Sequence, residues 1–180
     1  PALRIPAMGD ITTLQCDAIV NAANSGMTGC YVPNHKCIDN CVHSFAGVQL
    51  RLDCARMMGE QGHEEPTGQA KITKAYNLPC RYVLHTVGPI VQGKLTEKIA
   101  IASVLLLVLS GTGIGIRAGK CGVLLYIHWG ILLSEDKAAQ IAVQTVQEYL
   151  EETPDSSVKN VIFNVFKNED LQIYERILRS

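Results

Sequence analysis

The chain has almost no surplus of charge: sixteen Lys and Arg stand against seventeen Asp and Glu in 180 residues. That leaves no electrostatic footprint for nucleic acid or for an anionic membrane, and neither is expected as a partner. A polyanionic ligand would have to be held by local groups. No repeat and no linker interrupts the chain. Its first ten residues, PALRIPAMGD, lack a basic region followed by an apolar one, so no secretory signal is read there. They do not resemble a natural start either, and the chain is read as truncated at its N-terminus. The seven cysteines are odd in number and follow no small-scaffold disulfide framework. Such usage points to a reducing, cytoplasmic setting with thiols buried or metal-bound. What is present is a 47% hydrophobic fraction with 18% charged residues, the composition of one globular domain with a sizeable core.

One apolar run tests that reading. The eighteen residues between Lys98 and Arg117 carry no charge, the lower edge of a membrane-spanning length. Gly, Ser and Thr crowd its second half and amphipathic segments surround it, so a buried core segment is expected instead. Within it GIGIRA satisfies a loose dinucleotide fingerprint. Too few residues separate it from the next strand to supply the helix that fingerprint requires.

Strand and helix patterns alternate along the chain. Ala18, Ile19 and Val20 read as a short apolar strand ending in polar residues. In CIDNCVHSFAGVQLRLDCARMM, the spacing of Ile38, Val42, Phe45, Val48 and Leu52 predicts one amphipathic helix closed by Gly59. RYVLHTV, GVLLYI and KNVIFNVF read as strands. SEDKAAQIAVQTVQEYLEE reads as a helix capped by Ser134, with Ala138, Ile141, Ala142, Thr145, Val146 and Tyr149 on one face. EDLQIYERIL reads as a final helix. The pattern predicts a single α/β domain with a largely parallel or mixed sheet.

Residues 21 to 40, NAANSGMTGCYVPNHKCIDN, concentrate the chemistry. Cys30, His35 and Cys37 offer soft thiolate and imidazole ligands of the kind zinc prefers. No second Cys/His pair lies at finger spacing, and three protein ligands with an open fourth position is the arrangement of catalytic zinc. Spacing alone leaves two other readings open: ordinary buried cysteines, or a thiolate nucleophile helped by histidine. Asp39 lies in the first turn of the next helix, where a carboxylate either contacts a hydroxyl or merely complements the macrodipole. Asn21 and Asn24 follow a strand at its carboxyl end, where open α/β sheets bind ligands. Their amides are loop hydrogen bonds or ribose ligands.

Taken in order, GDITTLQCDAIVNAANSGMTGC, CIDNCVHSFAG and TGQAKITKAYNLPCRYVLHTVGP resemble the macrodomain family of ADP-ribose-binding modules. The resemblance covers residues 8 to about 97 and about 135 to 178. The inserted CYVPNHKC is similar to the zinc-containing microbial branch, of the Appr-1″-p processing-like kind, which removes ADP-ribose from proteins. The resemblance implies a three-layer α/β/α sandwich with a central mixed sheet, a bound zinc ion, and a monomer acting on ADP-ribosylated protein. Asp10 would accept from the adenine amino group beside Ile11, and Phe166 would stack on adenine. Ala22, Asn24 and Gly29 would line the substrate, with Asn24 holding the distal ribose. Cys30, His35 and Cys37 would bind zinc, and Asp39 would orient ribose or water, making Asn24 and Asp39 the catalytic pair. His43 and His85 are read as structural. A reader that binds ADP-ribose without turnover is the main alternative, and a cysteine-nucleophile hydrolase the second.

Residues 99 to 134 depart from this pattern. Where the branch carries a diphosphate loop resembling Ser-Thr-Gly-Val-Phe, the chain has Ile127, His128, Trp129, Gly130 and Ile131. Codons allowed for KCGVLLYIHWGI, read one base later, permit Ser-Val-Ala-Phe-Cys-Cys-Ile-Ser-Thr-Gly-Val-Phe. Trp has a single codon, so Trp-Gly forces a glycine codon in the shifted frame. The expected strand and loop are thereby restored, and the family pattern resumes in register at Glu135. A compensated frameshift is the reading. If the residues act as written, His128 and Trp129 would crowd the diphosphate loop and weaken turnover.

Overall fold

The structure is a computed structural model that describes residues 3–88, 122–125, 135–156, 158 and 160–179. Its elements run β1 (Leu3–Met8), a 3-10 turn (Ile11–Thr13), β2 (Ala18–Ala23), α1 (Ile38–Ala46), α2 (Val48–Gln61), β3 (Ala70–Lys74), β4 (Tyr82–Val87), β5 (Gly122–Leu125), α3 (Glu135–Glu152), β6 (Asn160–Val165) and α4 (Asn168–Arg179). The strands form one sheet in the order β1-β6-β5-β2-β4-β3. All neighbours are parallel except β3, which pairs antiparallel with β4 as an edge strand. The mixed sheet expected from the sequence is therefore parallel in five of its strands.

Helices cover both faces, which explains the near-continuous apolar runs of the inner strands. On one face α3 and α4 pack Ala139, Ala142, Val143, Val146 and Tyr174 against Ala18, Val20, Leu84, Val161 and Phe163. Phe163 and Tyr174 stack with ring centroids 5.1 Å apart. On the other face α1 and α2 bring Val42, Ala46, Leu50 and Cys54 against Ile19 and Val83. The period-2 alternation of β2 sends Ala18 and Val20 to the first face and Ile19 and Asn21 to the second. β4 does the same with Leu84 on one side and Val83 and His85 on the other.

The long helix predicted after residue 37 is two helices. Gly47, at φ 94° and ψ 176°, breaks it, and a Cβ there would lie 2.8 Å from the Asn77 side-chain nitrogen. The second helix closes on Gly62 in the left-handed region, with its N–H on the Met58 carbonyl, rather than on Gly59. The break rotates the apolar stripe, so Phe45, Val48 and Leu52 are exposed instead of buried. The residues facing the sheet are Asp39, Val42, His43, Ala46, Leu50 and Cys54. In α3, Ile141 and Tyr149 are half-buried, and Ala139 and Val143 complete the buried face. Strands β1 and β3 escaped the sequence reading. The apolar run of residues 99–116, GIGIRA and the helix cap at Ser134 lie outside the described residues. Among those described, no helix is long and apolar enough to cross a membrane.

Candidate active site at the strand ends

Parallel strands put the carboxyl ends of β1, β6, β5, β2 and β4 along one edge of the sheet, and the described candidate residues gather there. Asp10 follows β1, and Phe166 follows β6 in direct register with it, Met8 opposite Val165. The Gly9 N–H bonds to the Val165 carbonyl, and the Asn164 amide donates to the Gly9 carbonyl at 3.0 Å. Asp10 uses one oxygen to cap the 3-10 turn through the Thr12 N–H (2.9 Å) and hydroxyl (2.7 Å). Its neighbour Ile11 is buried, whereas the Phe166 ring is 70% exposed and free to stack. Strand spacing of about 4.8 Å puts the end of β2 roughly 10 Å from that of β6 and roughly 14 Å from that of β1, with β5 ending between β6 and β2. Ile127, His128, Trp129, Gly130 and Ile131, which follow β5, lie outside the described residues.

At the end of β2, Ala22 and Asn24 are exposed and a loop returns to α1. The Asn24 amide donates to the Gly29 carbonyl and to Asp39 Oδ2, both at 3.3 Å. Gly29 sits at φ 87° with the His43 ring against it, and a Cβ would meet that ring at 2.6 Å. Only glycine fits this position. Asp39, in the first turn of α1, takes the Asn21 amide on Oδ1 at 2.8 Å. Cys30, His35 and Cys37 cluster beside this pair, their ligand atoms all within 4.8 Å of one another. Cys30 Sγ lies 3.2 Å from His35 Nδ1. Ligands of tetrahedral zinc are separated by about 3.3–3.8 Å, given bonds of 2.0–2.3 Å. The Cys30–His35 separation is close to that range, and two thiols with an imidazole are a donor set that suits zinc. Asn40, which the sequence reading missed, holds the loop by donating to the Cys30 and Val32 carbonyls. The Cys37 sulfur caps α1 by accepting from the Asn40 N–H. A polar residue three places after a cap was the available signal.

The macro domain family pattern matches residues 20–112. A protein-ADP-ribose hydrolase of Treponema medium is 53% identical over 175 residues, 94% of this chain and 65% of the relative. One from Staphylococcus aureus (strain MRSA252) is 47% identical over 174 residues, 93% of this chain and 63% of the relative. A solved Oceanobacillus iheyensis macrodomain mutant with ADPR superposes with a TM-score of 0.81 at 30% identity, covering 97% of this chain and 90% of that one. The chain belongs to the macro domain family. It spans about two-thirds of the length of these curated relatives.

Under the edge of this macro domain lies a second group of possible ligands, His43, Cys54 and His85, all buried. It is a poor cation site. Both His85 nitrogens are engaged, Nδ1 with the Asn21 amide (3.1 Å) and Nε2 with the Thr73 hydroxyl (3.0 Å). Burial pushes the Cys54 thiol up to about 12 and drives the His43 and His85 imidazoles down to about 4 and about 3. Both histidines, read as structural from the sequence, lie in the interior, where burial favours the neutral ring. Burial also raises Asp39, opposed by the Asn21 hydrogen bond and the Arg51 charge. Desolvation likewise raises the thiols of Cys16, Cys37, Cys41 and Cys80.

Proposed function

We propose that this macro domain is the catalytic unit of a zinc-dependent hydrolase that releases ADP-ribose from modified proteins. The observation that carries the reading is the convergence, at one strand end, of Asn24, Asp39 and the Cys30–His35–Cys37 cluster. The identity to two proteins named protein-ADP-ribose hydrolase supports it. ADP-ribose would lie along the sheet edge, adenine between Asp10 and Phe166 and distal ribose at Asn24, with the diphosphate over the end of β5. The roughly 10–14 Å between the two ends suits such an extended ligand.

Cys30, His35 and Cys37 would hold zinc, which supplies Lewis acidity or a lowered water pKa when bound. The chain's own residues do the positioning. Asn24 spends one amide N–H on the Gly29 carbonyl and the other on Asp39, which leaves its carbonyl oxygen to accept from a ribose hydroxyl. Asp39 is held by two amides, so its carboxylate has a fixed direction in which to accept a proton from ribose or water. Hydrolysis then breaks the bond from the anomeric carbon to the protein and puts a water oxygen in its place. A cytoplasmic setting accords with the thiol ligands.

The test is to incubate the protein with an ADP-ribosylated target, with and without a chelator, and measure bound metal and released ADP-ribose. Release lost on chelation is expected. Tight ADP-ribose binding without release would make the domain a reader. Release that survives chelation but not thiol alkylation would favour a cysteine nucleophile, which Cys30 beside His35 is best placed to be. We further propose that residues 99–134 reflect a compensated frameshift. Mass spectrometry of peptides from this segment tests it: an intact YIHWGI peptide would rule out an error in the sequence reading.

A further inference from the structure

We propose that His85, acting through the Asn21 amide, is a positioning residue for the Asp39 carboxylate. The inference rests on the reading of Asp39 as the group that orients ribose or water. An unbroken run of contacts joins them: Thr73 Oγ1 to His85 Nε2 at 3.0 Å, His85 Nδ1 to Asn21 Nδ2 at 3.1 Å, and Asn21 Nδ2 to Asp39 Oδ1 at 2.8 Å. Asn21, His85, Thr73 and Asp39 are all buried, so none of these bonds competes with bulk water.

The chemistry of the groups fixes the direction of each bond. An ionised carboxylate only accepts, so the Asn21 atom facing Asp39 is its NH₂ group. The second N–H of that group points at His85 Nδ1, which must therefore be the bare acceptor nitrogen. The ring proton then sits on Nε2 and is donated to Thr73. With the other tautomer, His85 would present an N–H to the Asn21 amine, and the amide would be driven to flip. Its carbonyl oxygen would then face the Asp39 carboxylate, acceptor against acceptor. The neutral Nε2–H form of His85 excludes that flip and keeps Asp39 turned toward Asn24, whose amide holds its other oxygen. Burial keeps the ring neutral, so the arrangement persists across the physiological pH range.

The experiment compares zinc-loaded wild-type protein with His85→Phe, His85→Asn and Asp39→Ala. Phe keeps the ring but has no acceptor, whereas Asn places an oxygen near the position of Nδ1. Single-turnover release from an ADP-ribosylated protein is read beside zinc content and the Kd for free ADP-ribose. His85→Phe is expected to slow release ~10–100-fold, the scale of a small misplacement, with Kd and zinc content within ~3-fold of wild type. His85→Asn is expected to recover most of that loss. Nitrogen NMR of the wild-type protein is expected to show His85 neutral with its proton on Nε2.

Wild-type release by folded His85→Phe, an equal loss in His85→Asn, or a proton on Nδ1 would each overturn the proposal. Should His85→Phe not fold, the tautomer and the His85→Asn rate decide. Release that survives Asp39→Ala overturns the reading of Asp39 and the relay with it. Loss in Asp39→Ala beside normal release in His85→Phe overturns the relay alone.

Discussion

The two faces of the sheet are built from different materials. The α3/α4 face is aliphatic and aromatic, with Phe163, Val146, Ala142 and Tyr174 closing around the strands. The α1/α2 face begins in the same way, with Ile19, Val83 and Leu50, and then changes toward the strand ends. There Asn21, His85, Thr73, Asp39 and His43 replace hydrocarbon inside the protein. The His43 nitrogens have no hydrogen-bond partner among the described residues, and Nε2 lies 3.6 Å from Asp39 Oδ1. Buried polar groups cost stability unless fully bonded, so a fold keeps them where something other than stability is served. Both faces carry hydrocarbon core, and only the α1/α2 face adds a buried polar cluster, the one that, in the proposed function, aims the Asp39 carboxylate.

Mutations can sharpen or break that contrast. The largest effect is expected at the exposed loop: His35→Ala should release the metal and slow ADP-ribose release by about 10²-fold or more. Its unfolding midpoint in the chelated state should match that of chelated wild type. A chelated variant that unfolds at clearly lower denaturant would make the loop part of the scaffold. Phe163→Ala, on the aliphatic face, should cost about 3–5 kcal/mol in denaturant unfolding, with turnover per folded molecule unchanged. Altered turnover there would mean that the faces are not separable.

Phe166→Ala should weaken ADP-ribose binding by about 1–3 kcal/mol, the worth of one base stacked on an aromatic ring, without loss of stability. Calorimetric titration reads the first quantity and thermal melting the second. Smallest is the effect of pH on the polar face. The folded imidazoles of His43 and His85 stay neutral down to about 4 and about 3, below the ordinary 6.5, so only the unfolded chain binds protons in between. Stability is then complete above pH 6.5 and falls with acid, by about 1 kcal/mol per imidazole at pH 5.5 in the chelated protein. His85→Asn should remove about half of that slope. A flat profile would mean that the imidazoles are not buried neutral.

How far the sequence reveals this arrangement follows the same division. The inner strands β2, β4 and β6 are legible because strands buried on both faces read as apolar runs. The Cys30, His35 and Cys37 cluster and Asn24 are legible because their residue types crowd twenty positions. Strand β1 was missed, since a proline and an arginine interrupt LRIPAM, and so was β3, because AKITK is short and lies at an edge. The single helix drawn through Gly47 failed because its apolar spacing continues past the break, and only the close approach of Asn77 shows why glycine stands there. The relay from Thr73 to Asp39 was out of reach. Its members are 12, 64 and 18 residues apart, and they meet only through the pairing of β2 with β4 and of β4 with β3 and the packing of α1 on β2.

The central claim is that Asp39 serves release rather than binding or folding. The direct measurement is single-turnover release of ADP-ribose by zinc-loaded Asp39→Ala, beside its Kd for free ADP-ribose and its unfolding curve. The account predicts release slowed by about 10²-fold or more, with bound zinc retained, affinity within ~3-fold and stability no lower than wild type. Release at the wild-type rate would contradict it.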